Sequence, residues 1–340
     1  MEPGTEVPGL RLLKEAIVML WKGKHIFNIL EAKQYRGLVQ MPAGKTFYVD
    51  PDHSYASDGN RGTNPDRPLS TIQAAIDLCT NFNQDFIFVQ RRLTTDITTT
   101  TPILMNKHTV HLIAVSNPTP QGALVRLVHT NETDNVLEFP LDTGYHCEVA
   151  GFGFGGGTTA KGGIGMPDSS AQGLGAWIHH CNFGSLLSKG TPDYGIHNDS
   201  MGAELFAWVI EDCGFYGSGD NAKGLISVNG INVVHSPGIL TASKNLIVRR
   251  CIFMGIPGVA INLDGVAGAM ILDNTFKLDA NTAGAAITLG NDCRGCWVDN
   301  NRANHGSADD MVALPWVDSA TADDNTWGLN YTGHTPEFPA

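Results

Sequence analysis

Trp177-Ile178-His179-His180-Cys181-Asn182-Phe183, Val209-Ile210-Glu211-Asp212-Cys213-Gly214-Phe215 and Ile247-Val248-Arg249-Arg250-Cys251-Ile252-Phe253 are three copies of one pattern. Two apolar residues precede two mostly polar ones, a Cys, any residue and a Phe. Met270-Ile271-Leu272-Asp273-Asn274-Thr275-Phe276 repeats it with Asn in the Cys slot. Cys296-Trp297-Val298-Asp299-Asn300-Asn301-Arg302 reads as a fifth copy that has lost the Phe, and Phe152-Gly153-Phe154 as a degenerate earlier one. An element recurring roughly every 20 to 50 residues implies stacked units, none able to bury its apolar face alone.

A second register lies between the copies: Gly163-Ile164-Gly165, Gly195-Ile196-His197, Gly224 to Val228, Gly258 to Asn262 and Gly284 to Leu289. Each is a Gly followed by a short apolar or alternating run. Several short strands per turn, punctuated by Gly and Asn, predict an all-β chain wound as a right-handed parallel β-helix. A helical solenoid is excluded. No copy carries ten or more residues of 3.6-residue periodicity, and β-branched and aromatic residues dominate.

Composition agrees. The 340 residues include 39 Gly, 42% are hydrophobic and only 16% are charged, which suits a turn-dense β protein with a sizeable core. A net charge of −12 excludes a nucleic-acid partner, which would require clustered Lys and Arg. Of seven Cys, Cys147, Cys181, Cys213 and Cys251 fall on or near the repeated strands and predict a ladder of inward thiols instead of disulfides. No secretory leader pattern is read at the start of the chain, so a reducing site of synthesis is expected.

Residues 1–45 depart from the repeat. Leu13, Ile17, Leu20 and Trp21 share one face of a short helix, which either packs on the base of the β-helix or, with Phe27, forms a candidate anchor for a partner or for other copies of the chain. The segment is too short and too charged to span a bilayer. In residues 46–80, Ser70 and Gln73 form a capping-box pattern before a helical face of Ile72, Ala75 and Ile76, a plug for the open solenoid end. Residues 81–310 hold the rungs, beginning with Phe86–Val89, Thr109–Ile113 and Ala123–Leu127. Residues 311–340, with Trp316, Trp327 and Tyr331, read as a C-terminal cap and tail.

The order Tyr48-Val49-Asp50, then Gly59-Asn60-Arg61-Gly62-Thr63-Asn64-Pro65-Asp66-Arg67-Pro68, then Thr71-Ile72-Gln73-Ala74-Ala75-Ile76 resembles the lead-in of pectate-lyase-like β-helix proteins, many from tailed bacteriophages. The resemblance spans roughly residues 46–305. It implies a homotrimer at the virion surface, a spike or capsid decoration (cement) protein attached through its N-terminal arm to a virion partner such as a major capsid protein. The alternative it implies is a tailspike-like protein that binds or depolymerises host surface polysaccharide.

Chemistry would fall on the polar columns beside the repeat: His180, Asp212, Arg250, Asp273 and Asp299, preceded by His179, Glu211, Arg249, Leu272 and Val298. In the enzymatic alternative, Glu211 and Asp212 act as acid or base and Arg250 stabilises a developing anion, with His180 beside them. The competing expectation is an ion-pair ladder between neighbouring strands. The hydrolase signatures of the resembled superfamily are missing: Asn274-Thr275-Phe276 lacks the acid, and no Gly-His-Gly or Arg-x-Lys occurs. Cys293-Arg294-Gly295-Cys296 has no second ligand pair and reads as strand-packing thiols, so no metal and no cofactor are expected.

Overall fold

A computed structural model describes residues 44–90, 96–115, 125–129, 134–140, 142–156, 161–166, 172–184, 192–198, 204–218, 226–235, 243–278, 284–305, 315–320, 324–332 and 335–337. Leu13, Ile17, Leu20, Trp21 and Phe27 lie outside these residues.

The chain coils through four sheets, of ten, ten, eight and four strands. Among the described residues, every pairing of strands is parallel except one, the terminal hairpin of Asn330–Thr332 with Thr335–Glu337. The fold is a right-handed parallel β-helix. The repeated motif supplies two of its sheets. One runs through Trp177–His179, Val209–Glu211, Ile247–Arg249, Met270–Leu272 and Trp297–Asp299, here called the tryptophan sheet. The other, the phenylalanine sheet, runs through Asn182–Phe183, Gly214–Tyr216, Ile252–Met254, Thr275–Leu278 and Arg302–His305. The eight-stranded sheet contains the second register, aligned on Ile164, Ile196, Ile231, Ile261 and Ile287.

The centre of each motif points inward. Ile178, Ile210, Val248, Ile271 and Val298 are fully buried. Phe154, Phe183, Phe215, Phe253 and Phe276 form a continuous stack with centroids 5.1, 4.7, 4.6 and 5.0 Å apart and planes within 11° of parallel. Offset stacking at this spacing follows from the rung separation of about 4.8 Å. It also explains the glycines of the second register. A Cβ on Gly163, Gly195 or Gly230 would lie 2.7, 2.6 or 2.9 Å from Phe183, Phe215 or Phe253, so the rings occupy the space a side chain would need. The third member of that register is therefore Gly230-Ile231, not the predicted run from Gly224.

The fifth motif copy also shifts by one residue. Met270 pairs with Trp297 and Leu272 with Asp299, so Cys296 precedes the strand and Ala303, not Arg302, takes the Phe position opposite Phe276. The buried Val298 and Asn301 fix this register, because a slip of one would turn both to solvent.

All seven Cys are buried free thiols. Cys181, Cys213 and Cys251 share one column, pointing Sγ at the carbonyls of Val149, Ile178 and Ile210 in the preceding rungs. Cys147 does not join them; it precedes its strand and points Sγ at the Lys107 carbonyl. Asn274, Asn301 and Asn330 continue the column and donate from Nδ2 to Val248, Ile271 and Val298 at 3.0, 2.9 and 3.1 Å.

At the N-terminal end, the helix Ile72–Leu78 buries Ile72, Ala75 and Ile76. Its N-cap is Thr71, not Ser70: Thr71 Oγ1 accepts from the Ala74 amide, while Asp58 holds both hydroxyls. Gln73 exchanges hydrogen bonds with the backbone of Leu104 at a sheet edge. At the other end the coil runs past Asp310, where the repeat was expected to stop. Trp316–Asp318, Thr326–Trp327 and Asn330–Thr332 each add a strand to one of the three large sheets. No helix among the described residues is long and apolar enough to cross a membrane.

Candidate functional site

The site is built on the outer face of the tryptophan sheet and the corner that follows it. In a strand of three residues whose middle member is inward, the first and third face outward. The chain then turns into the phenylalanine sheet through a single residue in the left-handed region: His180, Asp212, Arg250, Asp273 and Asn300, with φ of 54 to 58°. Polar residues suit this corner because the adjoining inward position is taken by the Cys/Asn column. Both polar columns therefore face away from the core. Asn300 occupies the corner position and Asp299 falls in the column of Glu211 and Leu272, a correction that follows from the one-residue shift.

The structure brings Glu211, Asp212 and Arg250 into one cluster. Arg250 donates from Nε and Nη2 to the two oxygens of Asp212, both at 2.9 Å. Its Nη2 also reaches Glu211 Oε2 at 2.6 Å, and Arg249 Nε donates to that same oxygen at 2.6 Å. Trp177 Nε1 donates to the other Glu211 oxygen at 2.8 Å. Glu211 is buried; its burial acts to raise the carboxyl pKa, but the bonds from Arg249, Trp177 and Arg250 outweigh it and hold the value below normal. The Arg250 hydrogen bonds hold Asp212 below the usual carboxylate value against its partial burial, and raise Arg250 in turn.

One rung toward the N-terminus lies a second cluster, built on Glu148. Its oxygens meet His111 Nδ1 at 2.6 Å and His179 Nε2 at 2.7 Å. Burial acts to raise this carboxyl, yet the two imidazole bonds bring it down to about 2. His111 stacks on Phe86 and His179 on Trp177, with centroids 4.3 and 4.0 Å apart. His179 Nδ1 lies 2.8 Å from His180 Nδ1. Sequence reading missed Glu148 and His111 because their rungs lack most of the motif. A signal existed: Glu148 precedes Phe154 by the same interval that separates Trp177 from Phe183.

Chemically, the arrangement is a ladder of complementary charges. A general acid at neutral pH must hold a proton, and Glu148, Glu211 and Asp212 are all held ionised. A general base needs a lone pair aimed at substrate, and both Asp212 oxygens are directed at Arg250. Among the described residues, the exposed large apolar side chains on this face are Trp177 and Trp297, at 41% and 47% exposure, four rungs or about 19 Å apart. A separate cavity of about 440 Å³ at the N-terminal end, lined by Asp52, Thr71, Gln73, Asp96 and Thr99 among others, contains none of these residues. Among the described residues, no group of three or more His, Cys, Asp or Glu is arranged to hold a metal ion.

No family model matches the chain, and no curated protein sequence matches it. Among solved structures it is similar to a rhamnogalacturonan lyase, at 14% identity over 87% of this chain and 75% of that one, with a TM-score of 0.54. It also aligns with a GH136 lacto-N-biosidase from Eubacterium ramulus (12% identity, 93% of this chain and 72% of that one, TM-score 0.38). ORF18 of Geobacillus virus E2 aligns at 11% identity over 84% of this chain and 61% of that one, with a TM-score of 0.37. The continuous parallel sheets and the first of these likenesses identify the fold as a right-handed parallel β-helix.

Proposed function

We propose that the chain is a structural protein of a tailed-bacteriophage virion, a homotrimeric spike or capsid-decoration protein whose β-helix is a rigid shaft. Residues 1–45 attach it to a virion partner such as the major capsid protein. The observation that carries this reading is the spending of charge along the outer face. Glu148, Glu211 and Asp212 are each committed to partners on neighbouring rungs, which ties strand to strand and leaves none of these three carboxylates poised for acid–base chemistry. The resemblance of residues 46–76 to phage β-helix proteins supports the virion setting. Purified particles assembled with the full chain or with residues 1–40 deleted test it. The full chain should co-purify with particles, and the deletion should stay folded but unattached; particles that incorporate the deletion equally well refute the anchor.

A second reading is a receptor-binding protein that contacts host surface polysaccharide. It is favoured by Trp177 and Trp297, whose exposed indoles on one sheet face offer apolar platforms for sugar rings.

A further inference from the structure

We propose that the Nδ1 atoms of His179 and His180 form a two-nitrogen site for a divalent transition-metal ion of tetragonal preference, of the copper(II) or nickel(II) class. The site is independent of the virion reading.

The two Nδ1 atoms are 2.8 Å apart, with ring planes 81° to one another. Only one of two nitrogens at that distance can carry the hydrogen between them. The Glu148 carboxylate decides which. It accepts from His179 Nε2 at 2.7 Å, so neutral His179 has its hydrogen on Nε2 and a lone pair on Nδ1. The bridging hydrogen then belongs to His180 Nδ1. A metal ion takes the place of that hydrogen bond: His180 shifts its hydrogen from Nδ1 to Nε2 through solvent, the freed Nδ1 lone pair bonds M²⁺ beside that of His179 Nδ1, and the change involves no net release of a proton and no change of oxidation state.

The spacing selects among metals. At metal–nitrogen distances of about 2.0–2.1 Å, two nitrogens 2.8 Å apart subtend roughly 90°. That is the cis angle of a square-planar or tetragonal ion. A tetrahedral zinc site would need the nitrogens about 3.3 Å apart, and so a rearrangement of the corner. Water fills the remaining positions, consistent with the absence of a third ligand in metal-holding geometry among the described residues.

The surroundings resemble a built site more than two stray surface histidines. His179 donates its other ring nitrogen to a carboxylate, the arrangement that fixes ring orientation and raises ligand basicity at metal centres. Stacking of His179 on Trp177 at 4.0 Å holds the same ring from the side. His180 is set by the left-handed corner, φ 54°.

The test is titration of the full chain with CuCl₂, followed by electron paramagnetic resonance of the tightest-bound equivalent, with ZnCl₂ and NiCl₂ in parallel. The site predicts coupling to two imidazole nitrogens. His179→Gln and His180→Asn, the latter chosen because Asn tolerates the left-handed corner, should each abolish that signal and weaken copper affinity at least about tenfold. Glu148→Gln, which touches no metal, should keep both nitrogens in the spectrum while lowering affinity about tenfold. Zinc should bind more weakly than copper or nickel, and His53→Ala should change nothing. Circular dichroism confirms that each variant is folded. Copper binding that survives replacement of either His179 or His180 overturns the proposal, as does an affinity unmoved by Glu148→Gln.

Discussion

Asn274 gives both its main-chain amide and its side-chain Nδ2 to a single acceptor, Oδ1 of Asn301 in the next rung, at 3.1 and 3.0 Å. Asn301 does the same to Asn330, at 3.0 and 2.9 Å. The left-handed corner turns a backbone carbonyl and an amide inward where no strand partner can reach them, and a buried unpaired backbone group is costly. An amide side chain satisfies donor and acceptor together. The thiols of Cys181, Cys213 and Cys251 fill the same column with a weaker donor and no comparable acceptor. The repeated Cys/Asn slot is thus a backbone-satisfying position, not a reactive one.

Asn301→Ala should therefore cost about 2–4 kcal/mol, since it strands the Ile271 carbonyl and the Asn274 amide in a fully buried place. Asn274→Cys should cost less, because neighbouring rungs already accept Cys there. Urea denaturation of the two variants compares them; equal losses would contradict the ladder's role.

Gly195→Ala places a Cβ 2.6 Å from the Phe215 ring and 2.7 Å from the Gly230 carbonyl. Overpacking of this kind costs about 1–3 kcal/mol. Phe215→Ala opens a cavity in the middle of the stack and should cost about 3–5 kcal/mol. If the stack is the reason for the glycine, the double variant loses less than the sum of the two, measured as a double-mutant cycle.

The architecture was legible because its core is periodic in types that allow few substitutes: a ring that stacks only on a ring, and a glycine that faces it. Where the type changed, the reading slipped. Ala303 in place of the Phe let Cys296 pass for the first apolar position, and the polar columns lost their last members to a shift of one. Gly224 and Gly230 both begin a Gly-apolar run, and only the Phe253 ring against Gly230 distinguishes them. Stacking alone predicts His180, Asp212 and Arg250 within reach of one another; Arg250 bonds Asp212, while His180 meets His179 and Glu211 takes a second bond from Arg250. Glu148 and His111 are not so predicted, because their partners lie one rung apart in strands of unrelated sequence.

Glu148 makes stability depend on acid. Its carboxyl is brought from an ordinary value of 4.5 to about 2 in the folded chain. A lowered folded value means the contribution is complete above the unfolded value and is lost as the pH falls from about 5 toward 2. The gap corresponds to at most about 3 kcal/mol. Unfolding measured across that window should show a steeper loss for the native sequence than for Glu148→Gln; superimposable profiles would contradict the two-histidine pairing as its source.

The central claim is that the charged face holds rungs together instead of performing chemistry. Incubation of the full chain with host surface polysaccharide, assayed for new reducing ends and for unsaturated products, tests it most directly. The account predicts neither product, with Asp212→Ala indistinguishable from the native chain. Turnover by the native chain that disappears in Asp212→Ala would contradict it.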